Sequence, residues 1–317
     1  LGGATGGPPR RRGVPRRDPE PRRGPPPWNS PARLLASPSM IEAPPGFRRV
    51  EDGGAVFVVR DDAAEPLVRA GFADPTALES VAVATFEGRG RPFAVDVPGV
   101  GAVFVRAYQH GGLAAPVTRD RYLGDGRFRA ELDALLRATA AHVPVPEPLG
   151  YVSRPAGPRL RRGWLLTRAL LGARDLLAVL ADALPPRRGA LLAAAGRTCR
   201  ALHDAGLDHR DLHAKNLLVT EGDRVLVLDL DACRVHAGPL DEATRLAGLF
   251  RFDRYLARRA HLGVTRTDRL RFLRAYAAHQ WPPRERVREL ADRLASHIAR
   301  HGTRLSRGAA AARRAPA

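Results

Sequence analysis

His209-Arg210-Asp211-Leu212-His213-Ala214-Lys215-Asn216, followed further on by Asp229-Leu230-Asp231, is the stretch that decides how this chain is read. Transfer of a phosphoryl group to a hydroxyl needs a carboxylate to accept the hydroxyl proton, and oxygen ligands to hold Mg²⁺ against the phosphates of ATP. Asp211 suits the first role and Asn216 with Asp229 the second, in the spacing of a phosphotransferase catalytic loop. Between them, Val219 leads through Thr220-Glu221-Gly222-Asp223 into the apolar run Val225-Leu226-Val227-Leu228. A polar, glycine-containing turn between apolar arms predicts a hairpin, which returns Asp229 to the side that carries Asn216. Lys215, the only lysine in the chain, stands close enough to Asp211 to neutralise charge on the transferred phosphate. His209 and Arg210 read as braces of the loop. Asp231 reads as a second metal contact or a turn cap.

Composition narrows the partners. At 317 residues the chain can bury a large core in a two-lobed unit or two domains. Lys and Arg number 52 against 33 Asp and Glu, a net charge of +19, which favours phosphates, anionic lipids or nucleic acid. Aromatic residues make up 6% and form no basic–aromatic stripe, which argues against nucleic acid. Cys199 and Cys233 fit no metal spacing and lie in apolar surroundings, as buried free thiols of a reducing compartment do. No run reaches the roughly 18 apolar residues of a spanning helix, and no hydrophobic core follows Arg10-Arg11-Arg12, so neither a membrane span nor an export signal is expected. These features predict a cytoplasmic protein that meets the membrane through charge.

Along the chain, residues 1–45 are a Pro/Gly/Arg-rich basic arm expected to be disordered. β-like runs follow at Ala55–Val59, Val81–Phe86, Phe93–Val97 and Ala102–Arg106, with Gly88-Arg89-Gly90 between the second and third. Strand, glycine turn, strand is an arrangement that lays backbone N–H groups over nucleotide phosphates, so Gly88 and Gly90 are candidate cofactor contacts. Arg106 ends its strand where protein kinases carry a phosphate-binding Lys, and Glu131 lies one turn into a helix predicted over Phe128–Ala140, placed to pair with it. Strands at Leu149–Val152 and Gly163–Thr167 follow. Thr167 leads into a hinge in which backbone groups of Arg168 to Leu170 would meet the adenine edge. Helices are predicted over Leu176–Leu184, Leu191–Ala205, Thr244–Leu262, Asp268–His279 and Arg284–Ala299. The fold class is α+β, a two-lobed protein-kinase-like fold with a small β-rich N-lobe at 46–167, a larger mainly helical C-lobe at 168–301 and a disordered basic tail at 302–317.

With these elements in order, the chain resembles the bacterial lipopolysaccharide kinase family, specifically its 3-deoxy-D-manno-octulosonic acid (Kdo) kinases. The resemblance spans about residues 80–260. It rests on Gly88-Arg89-Gly90, Val105-Arg106-Ala107-Tyr108 with Gly111-Gly112-Leu113, Phe128-Arg129-Ala130-Glu131, Val145-Pro146-Glu147-Pro148 and Leu166-Thr167. It continues through Gly172-Ala173-Arg174-Asp175-Leu176, the catalytic block, and Arg245-Leu246 with Arg251. The family accepts Arg at the position of Arg106. Gln109-His110 stands where a more basic pair is usual.

The resemblance implies transfer of the ATP γ-phosphate to a hydroxyl of Kdo on a lipid A precursor, with Mg²⁺ as cofactor, at the cytoplasmic face of the inner membrane. Its partners would be that anionic glycolipid and the membrane surface, with Arg119 and Arg121 as candidate acceptor contacts. Three alternatives stay open at this level. A protein kinase would show Ala-Pro-Glu after the metal segment, where this chain has Asp241-Glu242-Ala243-Thr244. A small-molecule kinase of the aminoglycoside or choline type shares the Asp-Leu-His motif near an Asn. A non-enzymatic pseudokinase scaffold would need only the fold.

Overall fold

The computed structural model describes Gly2, residues 43–88, 90–109 and 120–277, Glu285, 287–294 and Ser296. Ala43–Ala317 forms one unit and Leu1–Glu42 another, and every element below belongs to the former. The basic arm, Arg89, the segment 110–119 that contains Gly111-Gly112 and Arg119, parts of the helix expected at Arg284–Ala299, and the tail at 302–317 lie outside the described residues.

Strands β1 (Phe47–Asp52) and β2 (Ala55–Arg60) form a hairpin, after which helix α1 (Ala64–Arg69) and a 3-10 turn (Ala77–Val81) intervene. Strands β3 (Ala84–Thr85), β4 (Phe93–Val97), β5 (Gly101–Ala107) and β6 (Tyr122–Leu123) precede helix α2 (Gly126–Ala140), and strands β7 (Pro148–Gly157) and β8 (Leu160–Arg168) follow it. These build an 8-stranded sheet in the order β1-β2-β7-β8-β5-β4-β3, with β6 beside β8, and all its pairings are antiparallel.

The alternation along β2 accounts for a sheet covered on both faces. Phe57 and Val59 join one apolar cluster with Leu67, Phe72 and Trp164. Val56 and Val58 point the other way, into a cluster that holds Phe128, Leu132 and Leu135 of α2 and continues into the helices beyond. Side chains two apart share a face, so one strand serves both cores. Close approach of α2 depends on Gly163 of β8, because a Cβ there would collide with the Phe128 ring. The expected strand at Val81–Phe86 starts late. Residues 77–81 coil into the 3-10 turn, and bonding to β4 runs from Val83 N to Phe86 N with Ala84–Thr85 as its ladder; Val81 and Val83, 60% and 56% exposed, find no apolar face that rewards a longer strand.

The second half is mainly helical. It contains β9 (Arg174–Asp175), α3 (Leu176–Asp182), α4 (Pro185–Asp204), β10 (Leu207–His209), β11 (Leu217–Val219), β12 (Val225–Val227), β13 (Cys233–Val235), α5 (Glu242–Ala257) and α6 (Arg266–Tyr276). Asp175 caps α3 by accepting from Ala178 N at 2.9 Å, and Asp241 caps α5 by accepting from Thr244 N at 2.8 Å. Each cap satisfies a backbone N–H that the helix leaves without a partner. The helix expected to run to Leu262 instead ends at Ala257, and a 3-10 turn over Ala260–Leu262 closes at Gly263, whose φ is 60°. Among the described residues no helix is long and apolar enough to cross a membrane.

Candidate active site

The catalytic stretch lies in the turn between β10 and β11. The predicted hairpin forms as β11 and β12, with Leu217 opposite Val227 and the turn residue Asp223 at φ 56°. Leu228 N donates to Asn216 O at 2.9 Å, so the two ends of the hairpin are tied where Asn216 and Asp229 emerge. A second tie comes from His209, which pairs with Cys233 across β10 and β13. Its Nε2 is 3.0 Å from Leu228 O, and its Nδ1 accepts from Asp211 N at 3.3 Å. Burial holds the His209 pKa below the ordinary imidazole value. A neutral ring with its proton on Nε2 satisfies both contacts, so His209 braces the turn of Asp211 against the turn that carries Asp229.

Asn216 Nδ2 donates to Asp211 O at 2.9 Å. This leaves Oδ1 as the atom of that side chain suited to a hard cation. Asp229 sits in the left-handed region, φ 57° and ψ 62°, a conformation that costs about 1–3 kcal/mol for a non-glycine residue and concentrates at functional sites. Asp211 carries a side chain that is 70% exposed, with Oδ2 3.4 Å from His213 Nε2. Lys215 is exposed on the 3-10 turn Ala214–Asn216.

The sheet brings up the other half of the site. Arg106 Nη2 donates to both oxygens of Glu131, at 2.6 and 2.7 Å, and Arg106 Nη1 lies 3.4 Å from Asp229 Oδ1. Glu131 is 1% exposed. Burial alone would weaken the Arg106 charge, but Glu131 and then Asp229 outweigh it and raise the Arg106 pKa. Burial likewise lifts the Glu131 carboxyl, with Arg106 opposing it. We take the pair as ionised, because both carboxylate oxygens accept charge-assisted bonds. Gly90, at φ 78°, packs so closely that a Cβ would come 3.0 Å from Ala107 O, which sets the glycine turn beside the end of β5, next to Arg106. Gly88 shares that turn at φ 153°.

Thr167 is buried in β8 opposite Phe104 of β5, so it presents no exposed side chain and bears on the hinge through the path of its backbone. The expected hinge donors are reduced. Arg168 N donates to Glu147 O at 2.8 Å and Ala169 N to Ala102 O at 2.9 Å, which leaves Leu170 as the N–H of that segment suited to an adenine edge.

Asp231, expected as a metal contact or a turn cap, is held by a side chain from α2. Arg127, in the first turn of α2, grips it through Nε at 2.6 Å to Oδ1 and through Nη2 to Oδ2. The Arg127 guanidinium in turn lies 4.9 Å from the Tyr122 ring centre. Arg127 and Glu131 are one helical turn apart, so a single face of α2 meets the turn of Asp229 and Asp231 directly through Arg127 and by way of Arg106 through Glu131. The spacing was visible in the sequence, whereas the partner 104 residues away was not. Sequence reading also missed the stack of His213 on Tyr255, with ring centres 4.4 Å apart and planes at 19°. Neither cysteine offers a nucleophile, since burial pushes both thiols up to about 12.

A model of the lipopolysaccharide kinase (Kdo/WaaP) family matches residues 76–276. The chain belongs to this family. It is similar to a 3-deoxy-D-manno-octulosonic acid kinase of Actinobacillus succinogenes, 34% identical over 195 residues that cover 58% of this chain and 79% of the relative. It is also similar to an enzyme of that name from Xanthomonas oryzae pv. oryzae (strain PXO99A), 41% identical over 150 residues, which are 45% of this chain and 57% of the relative. The chain thus spans little more than half of the second relative's length. Among solved structures it is similar to one described as WaaP in complex with acyl carrier protein, at 26% identity and a TM-score of 0.53, over 76% of this chain and 97% of that one. Membership makes the chain a phosphotransferase acting on a sugar hydroxyl in lipopolysaccharide core synthesis, and a kinase of this kind uses ATP. The α+β, kinase-like fold expected from sequence agrees with that neighbour, and the protein-kinase and scaffold alternatives give way.

Proposed function

We propose that this lipopolysaccharide kinase family member transfers the ATP γ-phosphate to a hydroxyl of Kdo on a lipid A precursor. The observation that carries the reading is Arg106 held between Glu131 and Asp229, together with an exposed Asp211 on a braced turn. Asp211 accepts the proton of the sugar hydroxyl. The sugar oxygen then attacks the γ-phosphorus, the bond to the β–γ bridging oxygen breaks, and ADP leaves with that electron pair. Arg106, oriented by Glu131, holds the phosphates together with backbone groups of the turn that carries Gly88 and Gly90. Lys215 meets the charge that develops on the transferred group.

Asn216 and Asp229 fit Mg²⁺. They offer an amide oxygen and a carboxylate, hard donors from the two tied ends of one hairpin. Among the described residues no cluster of three or more His, Cys, Asp or Glu forms a self-sufficient metal cage, in keeping with a cation held by one or two side chains and the nucleotide phosphates. When bound there, Mg²⁺ supplies neutralisation of phosphate charge. We place the boundary between N-lobe and C-lobe after Thr167, and the protein on the cytoplasmic face of the inner membrane, where its +19 charge draws it to anionic lipid.

The test is an acceptor panel of Kdo-lipid A precursor, soluble aminoglycoside and choline-type compounds, and a generic protein, each with ATP and Mg²⁺ and read by mass spectrometry. A phosphoryl group added to Kdo alone is expected. Preferential phosphorylation of a soluble amine or of protein would overturn the reading.

A further inference from the structure

A cavity of about 400 Å³ opens between the catalytic turn and α5. Asp211 and His213 line one side, and Arg251, Arg254, Arg258 and Arg259 the other. The size suits one sugar residue with its substituents. The charge is lopsided, with one carboxylate facing four guanidiniums.

Two of those guanidiniums have structural partners. Arg251 donates to Asp208 Oδ1 at 3.2 Å and His209 O at 3.3 Å. Arg259 donates to Tyr255 O at 2.8 Å and lies 3.6 Å from the Tyr255 ring centre. Arg254 and Arg258 differ. They stand one turn apart on the same face of the α5 C-terminal end, and among the described residues neither forms an ion pair; Arg254 only lies 5.7 Å from the Phe250 ring centre. Like charges at that spacing repel each other, and a helix C-terminus only partly offsets this. Asp211 opens onto the same cleft with its side chain 70% exposed, and beside it the His213 ring, whose Nε2 lies 3.4 Å from Asp211 Oδ2, is pinned by its stack on Tyr255.

We infer that this cleft is the acceptor site, and that Arg254 and Arg258 together hold an anionic group of the acceptor, a sugar carboxylate or a phosphate. The inference rests on Asp211 as the base of the proposed reaction. A guanidinium fork binds either oxyanion through paired N–H donors, and seating the anion there leaves a sugar hydroxyl facing Asp211. This adds acceptor contacts on α5 to those expected at Arg121 and at Arg119, the latter outside the described residues.

The test compares wild type with the double variant Arg254→Ala/Arg258→Ala, and with Arg274→Ala on the exposed face of α6 as a charge control. Loss of a charge-assisted pair predicts an acceptor KM raised by about tenfold or more, an unchanged ATP KM, and partial recovery in Arg254→Lys/Arg258→Lys. An acceptor KM within about twofold of wild type, or an equal rise in Arg274→Ala, overturns the inference. The methyl ester of the Kdo carboxylate and a dephosphorylated lipid identify the source, since the form lacking the bound anion becomes indifferent to the double substitution. Should no Kdo lipid serve as acceptor, the proposed acceptor falls and the cleft is tested by binding of phosphorylated against neutral sugars. Binding that depends on the phosphate and on Arg254 and Arg258 upholds the cleft; absent or charge-independent binding overturns it.

Discussion

Two groups of arginines face the catalytic turn from opposite sides. On the sheet side, Arg106 and Arg127 each meet a carboxylate, Glu131 and Asp231, and Arg106 also reaches Asp229. On the α5 side, Arg254 and Arg258 line the cleft by Asp211 without an ion pair among the described residues. In a chain with 52 Lys and Arg, positive charge by itself says little about role, whereas pairing does. The paired group fixes the geometry of the protein, with α2 bound to the turn of Asp229 and Asp231 before any ligand arrives. The unpaired group leaves its charge for something the protein does not supply.

The comparison breaks most readily on its paired side. Asp229→Ala removes a partner of Arg106 and the carboxylate proposed to hold Mg²⁺, and turnover is expected to fall by about 10³-fold, since preorganised charge is a leading source of catalysis. Steady-state kinetics with retained thermal stability would check it. Glu131→Gln leaves Arg106 part-buried with a neutral partner in α2 and only the more distant, half-exposed Asp229 as a carboxylate. Removing one member of a buried pair costs about 3–5 kcal/mol, so a lowered melting temperature and a kcat reduced by about 10²-fold are expected. A normal kcat would mean that Arg106 needs no orientation.

Asp231→Asn and Arg127→Ala should have a smaller effect, about tenfold in kcat, and the reversed pair Arg127→Asp/Asp231→Arg should recover part of it. Failure of the reversed pair, with the fold intact, would indicate that Asp231 serves the metal directly.

The smallest effect concerns pH. His203 is buried against Tyr276, Nδ1 to hydroxyl 2.7 Å. Burial first, then the charges of Arg245 and Arg251, lower its pKa from 6.5 to about 3. The unfolded chain therefore takes up a proton below 6.5 that the folded chain refuses until about 3. Stability is full above that window and declines as pH falls through it, by at most about 1.4 kcal/mol per pH unit. Denaturant titrations between pH 7 and 5 should give a shallower decline in His203→Gln than in wild type.

What was legible in the sequence follows from how local each determinant is. Gly222 and Asp223 between two apolar arms announced the hairpin, and that hairpin announced that Asn216 and Asp229 emerge together close to Asp211, because neighbours in sequence set both. Arg106 with Glu131 was readable through the order of strand and helix. Asp231 was not, since its partner comes from α2, and a lone carboxylate after a metal ligand reads as another ligand. Val81 and Val83 misled in the other direction, as apolar residues that no core covers. Arg254 and Arg258 sat at helical spacing in plain view, obscured by the many arginines around them.

The central claim, that Asp211 takes the proton from a sugar hydroxyl while its neighbours hold the nucleotide, is tested most directly by Asp211→Asn. The substitution keeps the size and the backbone contacts made by His209 and Asn216. Phosphotransfer to the Kdo-lipid A precursor and ATP affinity should be measured on the same preparation. Turnover lower by about 10²–10⁴-fold with unchanged ATP affinity is the predicted result, and turnover within a few-fold of wild type would contradict it.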